Sequence, residues 1–108
     1  MKVYVIDPDK RSIEEVNFEW DYMDYPALNA KVNELGKFAD GWDSVMINTQ
    51  EDRILVDDTG LYKPLTRWWW AGYPDPLCGI GVVCGYEGER SVSVKCSMAF
   101  LEKYVMFQ

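Results

Sequence analysis

The stretch Lys2-Val3-Tyr4-Val5-Ile6-Asp7-Pro8-Asp9-Lys10, followed by Ile13, Val16, Phe18 and Trp20, decides how the chain is read. Residues 2–6 are β-branched and aromatic, as a strand requires. Asp7-Pro8-Asp9-Lys10 is a turn, with proline presetting φ at its second position. From Val16 the alternation is regular. Val16, Phe18 and Trp20 face one way, and Asn17, Glu19 and Asp21 the other. The two runs predict a β-hairpin that reaches Trp20.

Beyond it the pattern changes period. Asp24-Tyr25-Pro26 predicts a helix start, since Asp caps well and proline is tolerated in a first turn. Leu28, Val32 and Leu35 form its apolar stripe, and Gly36 is placed to end it. Asp40-Gly41 predicts a turn. Val45 and Ile47 predict a strand, Gln50-Glu51-Asp52 a turn, and Ile54-Leu55-Val56 a returning strand. Ile80-Gly81-Val82-Val83-Cys84 reads as a buried strand, and Val92 and Val94 as a half-exposed one. Ser97 caps a short last helix from Met98 to Tyr104. About six strands and two helices, without regular βα alternation, predict an α+β fold. The expected sheet is mainly antiparallel, of about five to six strands, with one central helix and a short C-terminal helix. Residues 1–108 form a single domain, the size expected of one core.

The order of pieces resembles a family of small phage- and plasmid-encoded proteins of unknown function. Three places carry the resemblance: Met1-Lys2-Val3-Tyr4-Val5-Ile6-Asp7-Pro8; Ile47-Asn48 with Ile54-Leu55-Val56-Asp57-Asp58-Thr59-Gly60-Leu61; and the run from Gly72-Tyr73-Pro74-Asp75-Pro76 through Gly79-Ile80-Gly81 to Gly85. The resemblance implies an accessory protein of a mobile element. It carries no catalytic residues over.

Composition narrows the chemistry. No apolar run approaches the ~20 residues of a membrane span, and the N-terminus lacks the apolar core of a signal peptide. The expected location is the cytoplasm. Three cysteines, an odd number, fit reduced buried thiols rather than a disulfide framework. Without histidine or a Cys-x-x-Cys pair, neither a metal site nor a cofactor is expected.

Leu55-Val56-Asp57-Asp58-Thr59-Gly60 looks like an aspartic-protease loop, where two carboxylates share a proton. Leu61-Tyr62-Lys63 follows where a small residue is needed, and the supporting hydrophobic-Gly-Arg-Asp/Asn element is missing. An Asp-rich turn is the simpler reading. Lack of histidine also removes the imidazole base of Ser-His-Asp and Cys-His units. No enzyme and no catalytic residue is expected.

Charge is lopsided. Residues 1–60 carry 14 acids against 6 bases, and residues 61–108 carry 4 against 5. The net charge of −7 repels nucleic-acid phosphates and anionic membranes, so neither is an expected direct partner. Two surfaces are nominated instead. The first is an acidic face of Glu15, Glu19, Asp21 and Asp24. Alternate strand residues lie about 6.7 Å apart, a spacing that can imitate a phosphate path of about 3.4 Å per strand step. Such a face would fit a nucleic-acid-binding host protein, and its alternative role is solvation. The second is an aromatic patch of Arg67, Trp68, Trp70 and Tyr73, because aromatics dominate binding hot spots. Its alternatives are core packing, a homodimer contact, or a small-molecule pocket. The leading expectation is an acidic protein–protein interaction module that binds or inhibits a host protein. The runner-up binds a small molecule through the Trp/Tyr pocket.

Overall fold

The computed structural model describes residues 1–21, 23–39 and 41–108. Its first hairpin pairs β1 (Lys2–Asp7) with β2 (Ser12–Asn17), antiparallel, with Ile6 opposite Ile13 and Val3 opposite Val16. The strand stops at Asn17, short of the expected Trp20. Lys2 of β1 pairs with Asn17, the last register pair of the hairpin. Two further bonds close the hairpin end: the Phe18 N–H donates to the Met1 carbonyl (3.0 Å), and the Met1 ammonium donates to the Phe18 carbonyl (2.5 Å). Phe18 and Trp20 still turn inward, half-buried, while Glu19 and Asp21 stay exposed.

Helix α1 (Tyr25–Gly36) starts as its sequence requires. The Asp24 carboxylate accepts the Ala27 N–H at 3.1 Å, and Pro26 sits in the first turn. Leu28 and Val32 form its buried stripe. Gly36 is the last helical residue, and Lys37 takes the left-handed position at φ 55°. The glycine serves a different end from the expected cap. A Cβ there would lie 2.2 Å from Cζ of Phe38, whose ring packs across the helix end.

The remaining elements are β3 (Trp42–Ile47), β4 (Asp52–Asp57), a 3-10 turn (Gly60–Tyr62), β5 (Arg67–Trp70), β6 (Leu77–Cys78), β7 (Gly81–Glu87), β8 (Arg90–Val92), α2 (Met98–Tyr104) and β9 (Val105–Phe107). Asp40 of the expected Asp40-Gly41 turn lies outside the described residues. The main sheet has the order β2-β1-β7-β4-β3, with β8 added beside β7, and all its pairs are antiparallel. The apolar run expected as a strand at residues 80–84 supplies most of its central strand, β7, which starts one residue later and runs on to Glu87. The fold is α+β, as expected, with an antiparallel sheet and a C-terminal helix.

Three further features depart from the sequence reading. β8 ends at Val92, so Val94, expected on the same half-exposed strand, lies beyond it and is buried. The β3–β4 turn occupies residues 48–51, and Asp52 opens β4 as a fully buried residue. In addition, β6, β5 and β9 form a separate three-stranded sheet. That second sheet and α2 cover one face of the main sheet, burying Tyr4, Ile6, Ile54, Trp68, Val83 and Leu101 between the layers. Helix α1 covers the other face, over Val3, Leu55, Val82 and Cys84. Among the described residues, no helix is long and apolar enough to cross a membrane.

Candidate functional site

The topology gathers short carboxylates at one end of the main sheet. β1 and β4 both finish there, at Asp7 and Asp57, while β7 and β3 begin there. The β1–β2 turn adds Asp9, and β3 adds Asp43 next to its first residue. Asp58 follows Asp57, and the β5–β6 loop contributes Asp75. These six aspartates line two adjoining hollows that share Asp57.

The first hollow, of about 150 Å³, is bounded by Asp7, Asp9 and Asp57 and also by Lys37. Its acids are engaged locally. Asp7 accepts the N–H groups of Asp9 (3.0 Å) and Lys10 (3.3 Å), and Asp9 accepts the Thr66 hydroxyl. The second hollow, of about 140 Å³, is lined by Asp43, Asp57, Asp58 and Asp75, by Leu61 and Tyr73, and by the apolar wall of Val45, Val56 and Leu77. No cation is among the described residues that line it. Asp43, Asp58 and Asp75 are exposed and, among the described residues, form no ion pair. At the opposite end of the sheet, Glu87 is compensated. Glu87 lies 3.4 Å from the Lys95 ammonium and 3.9 Å from the Arg90 guanidinium.

Asp57 organises the boundary between the hollows. Its Oδ1 accepts the Thr59 N–H at 2.9 Å and the Thr59 hydroxyl at 3.0 Å, and its Oδ2 accepts the Lys63 Nζ at 2.9 Å. Burial pushes this carboxyl up, but the Lys63 ammonium and the Thr59 donors together outweigh it and hold Asp57 below the usual aspartate value. It is therefore a firmly ionised, triply bonded side chain. Asp58 and Thr59, which follow Asp57, form a turn. Among the described residues, no three carboxylates or thiols converge in a way that would hold a metal ion. The three cysteines are free and buried. Burial, reinforced by the Asp52 carboxylate, pushes the Cys96 thiol up to about 12, and burial also raises Cys84. Neither of these two thiols has the thiolate character of a nucleophile at neutral pH.

Comparison with family models, curated proteins and solved structures finds no match to this chain.

The residues nominated from sequence are placed differently from the aspartate end. Glu15, Glu19, Asp21 and Asp24 are all exposed, but only Glu15 lies on a strand. Glu15 accepts the Asn17 amide (3.0 Å), Asp21 accepts the Met23 N–H (3.0 Å), and Asp24 is spent as the α1 cap. The regular spacing of a phosphate-like array ends with the strand.

The aromatic patch is not a patch. Trp68 is fully buried and donates its Nε1–H to the Gly79 carbonyl at 2.8 Å. Trp70 is buried and stacks on Tyr104, with ring centroids 5.3 Å apart. Arg67 and Tyr73 are exposed, and Tyr73 lines the second hollow. Strand alternation explains the outcome. Trp68 and Trp70 point to the core and Trp69, half-buried, points outward.

The aspartate end escaped the sequence reading because its members come from β1, β3, β4 and three connecting segments. Sequence spacing does not reveal which strand ends coincide. The one available signal is that Asp7, Asp43 and Asp57-Asp58 all flank predicted strands.

Proposed function

We propose that the chain is a non-enzymatic acidic interaction protein of a mobile element, acting in the cytoplasm by binding and inhibiting a host protein, and that it binds through the aspartate end of its sheet. One observation carries the reading. Six aspartates from separate parts of the chain meet around two open hollows, and the more acidic hollow has no lining cation among the described residues. Unpaired surface carboxylates raise a field that steers a basic partner and fixes its orientation. A nucleic-acid-binding protein offers such a basic surface, because it must neutralise phosphates.

A small molecule is the weaker occupant. Both hollows fall well below the ~300–1,000 Å³ of typical ligand sites, and Trp68 and Trp70, the walls of the expected pocket, are spent in the core.

The test is affinity capture from host lysate over a salt series. Wild type is compared with Asp43→Asn/Asp58→Asn/Asp75→Asn and with Glu15→Gln/Glu19→Gln/Asp21→Asn. The partner of the wild type is expected to be lost with rising salt as screening shortens to about 8 Å at physiological strength. It is expected to be lost from the first variant and kept by the second. Capture that ignores both salt and the first variant would refute the proposal.

A further inference from the structure

We infer that the acidic end grips its partner through an apolar anchor formed by Leu61, Tyr62 and Tyr73, and that the occupant is a basic protein segment carrying an apolar side chain between its lysines and arginines. The inference rests on the proposed function and supplies the chemistry of the partner.

The first ground is exposure. Tyr62 is 90% exposed, Leu61 58% and Tyr73 38%. Leu61 and Tyr73 line the second hollow, and Tyr62 follows Leu61 on the same 3-10 turn. Single exposed apolar residues need no explanation, but Leu61 and Tyr73 share one hollow, and grouped apolar residues mark interaction sites.

The second ground is rigidity. The turn that exposes Leu61 and Tyr62 is fixed by the Asp57 carboxylate through Thr59 and Lys63. Two backbone bonds close it, Tyr62 N–H to the Thr59 carbonyl (3.0 Å) and Lys63 N–H to the Gly60 carbonyl (3.2 Å). Gly60 seats it against β6, where a Cβ would stand 3.1 Å from Cβ of Cys78. The Asp-Thr-Gly loop thus holds two apolar side chains out to solvent. A surface ordered in advance loses less entropy on binding.

The third ground is the match of apolar floor and charged rim. Val45, Val56 and Leu77 line the hollow beneath, while Asp43, Asp58 and Asp75 surround it. An apolar centre inside a polar rim is interface anatomy. Here the rim is wholly negative, so it selects lysine and arginine and repels nucleic acid. A hollow of about 140 Å³ takes one side chain and not a metabolite. A second copy of this chain is disfavoured, because a two-fold contact at this face would set aspartates against aspartates.

The probes are two labelled lysine-rich peptides of equal charge, one with a central leucine and one with a central serine. Binding to the full chain is read by fluorescence anisotropy at low and physiological salt. The leucine peptide is expected to bind about ten-fold tighter. Tyr62→Ala, whose side chain is too exposed to matter for folding, and Leu61→Ser/Tyr73→Ser are expected to shrink that advantage. Asp43→Asn/Asp75→Asn is expected to weaken both peptides and keep their ratio. Equal binding of the two peptides overturns the anchor and leaves the charge reading standing. Binding of neither at low salt overturns both. A dimer in sedimentation that Tyr62→Asp dissociates overturns the choice of occupant.

Discussion

Trp68→Ala is expected to destabilise the fold by about 3–5 kcal/mol, the cost of emptying a large buried ring site. A domain of this kind has roughly 5–15 kcal/mol in total, so the variant loses a large share of its stability. Trp68 is fully buried where the second sheet meets the main one. Its ring lies against the central strand, where a Cβ on Gly81 would come within 2.9 Å of Cζ2. Removing the indole also orphans the Gly79 carbonyl that accepts its N–H. Trp68→Phe keeps most of the packing and loses that bond, so a loss of about 1–2 kcal/mol is expected, a net hydrogen bond plus a small volume change. Trp69→Ala, on the outward side of the same strand, is expected to cost less than Trp68→Ala. Urea midpoints with unchanged slopes measure all three. Equal losses at Trp68 and Trp69 would contradict the layer assignment.

Asp52→Ala is the second large effect, with an expected loss of roughly 3 kcal/mol, because buried donors to a carboxylate are stranded. Asp52 has no solvent exposure. Its Oδ1 accepts the Lys95 N–H at 2.8 Å, and its Oδ2 accepts the Cys96 N–H at 2.9 Å and the Asn48 amide at 2.8 Å. One carboxylate therefore ties the β3–β4 turn to the segment that enters α2. Asn48→Ala leaves the two backbone bonds in place and is expected to cost about 1 kcal/mol. Chemical denaturation orders the two variants, and amide exchange at Lys95 and Cys96 locates the damage. Slow exchange retained there in Asp52→Ala would show that other contacts hold the segment.

The difference between Asp52 and its neighbours shows where sequence reading works. Local rules place the first hairpin, the Asp24 cap, the Ser97 cap (Phe100 N–H to Oγ, 3.1 Å) and the apolar strand at residues 80–84. Each depends on residues within one turn or one strand. Asp52 reads as a turn acid because its three partners include two backbone groups more than forty positions away. The short β6 and β9 escape for the same reason. Among the described residues each pairs only with β5, and neither alternates long enough to announce itself. Trp68 and Trp70 are legible as alternate residues of a strand, but which face is buried depends on the sheet that β5 joins. The acidic surface shows the same limit. Charge asymmetry between the two parts of the sequence is visible, yet the aspartates that meet in space come from both, Asp75 included.

A ¹H–¹⁵N NMR titration with a lysine-rich peptide tests most directly whether the aspartate end is the working surface. Shifts are expected to concentrate at Asp43, Asp57 to Tyr62 and Tyr73 to Asp75, and to fade as salt is raised. Shifts confined to the stretch from Glu14 to Asp24, or a pattern indifferent to salt, would contradict the account.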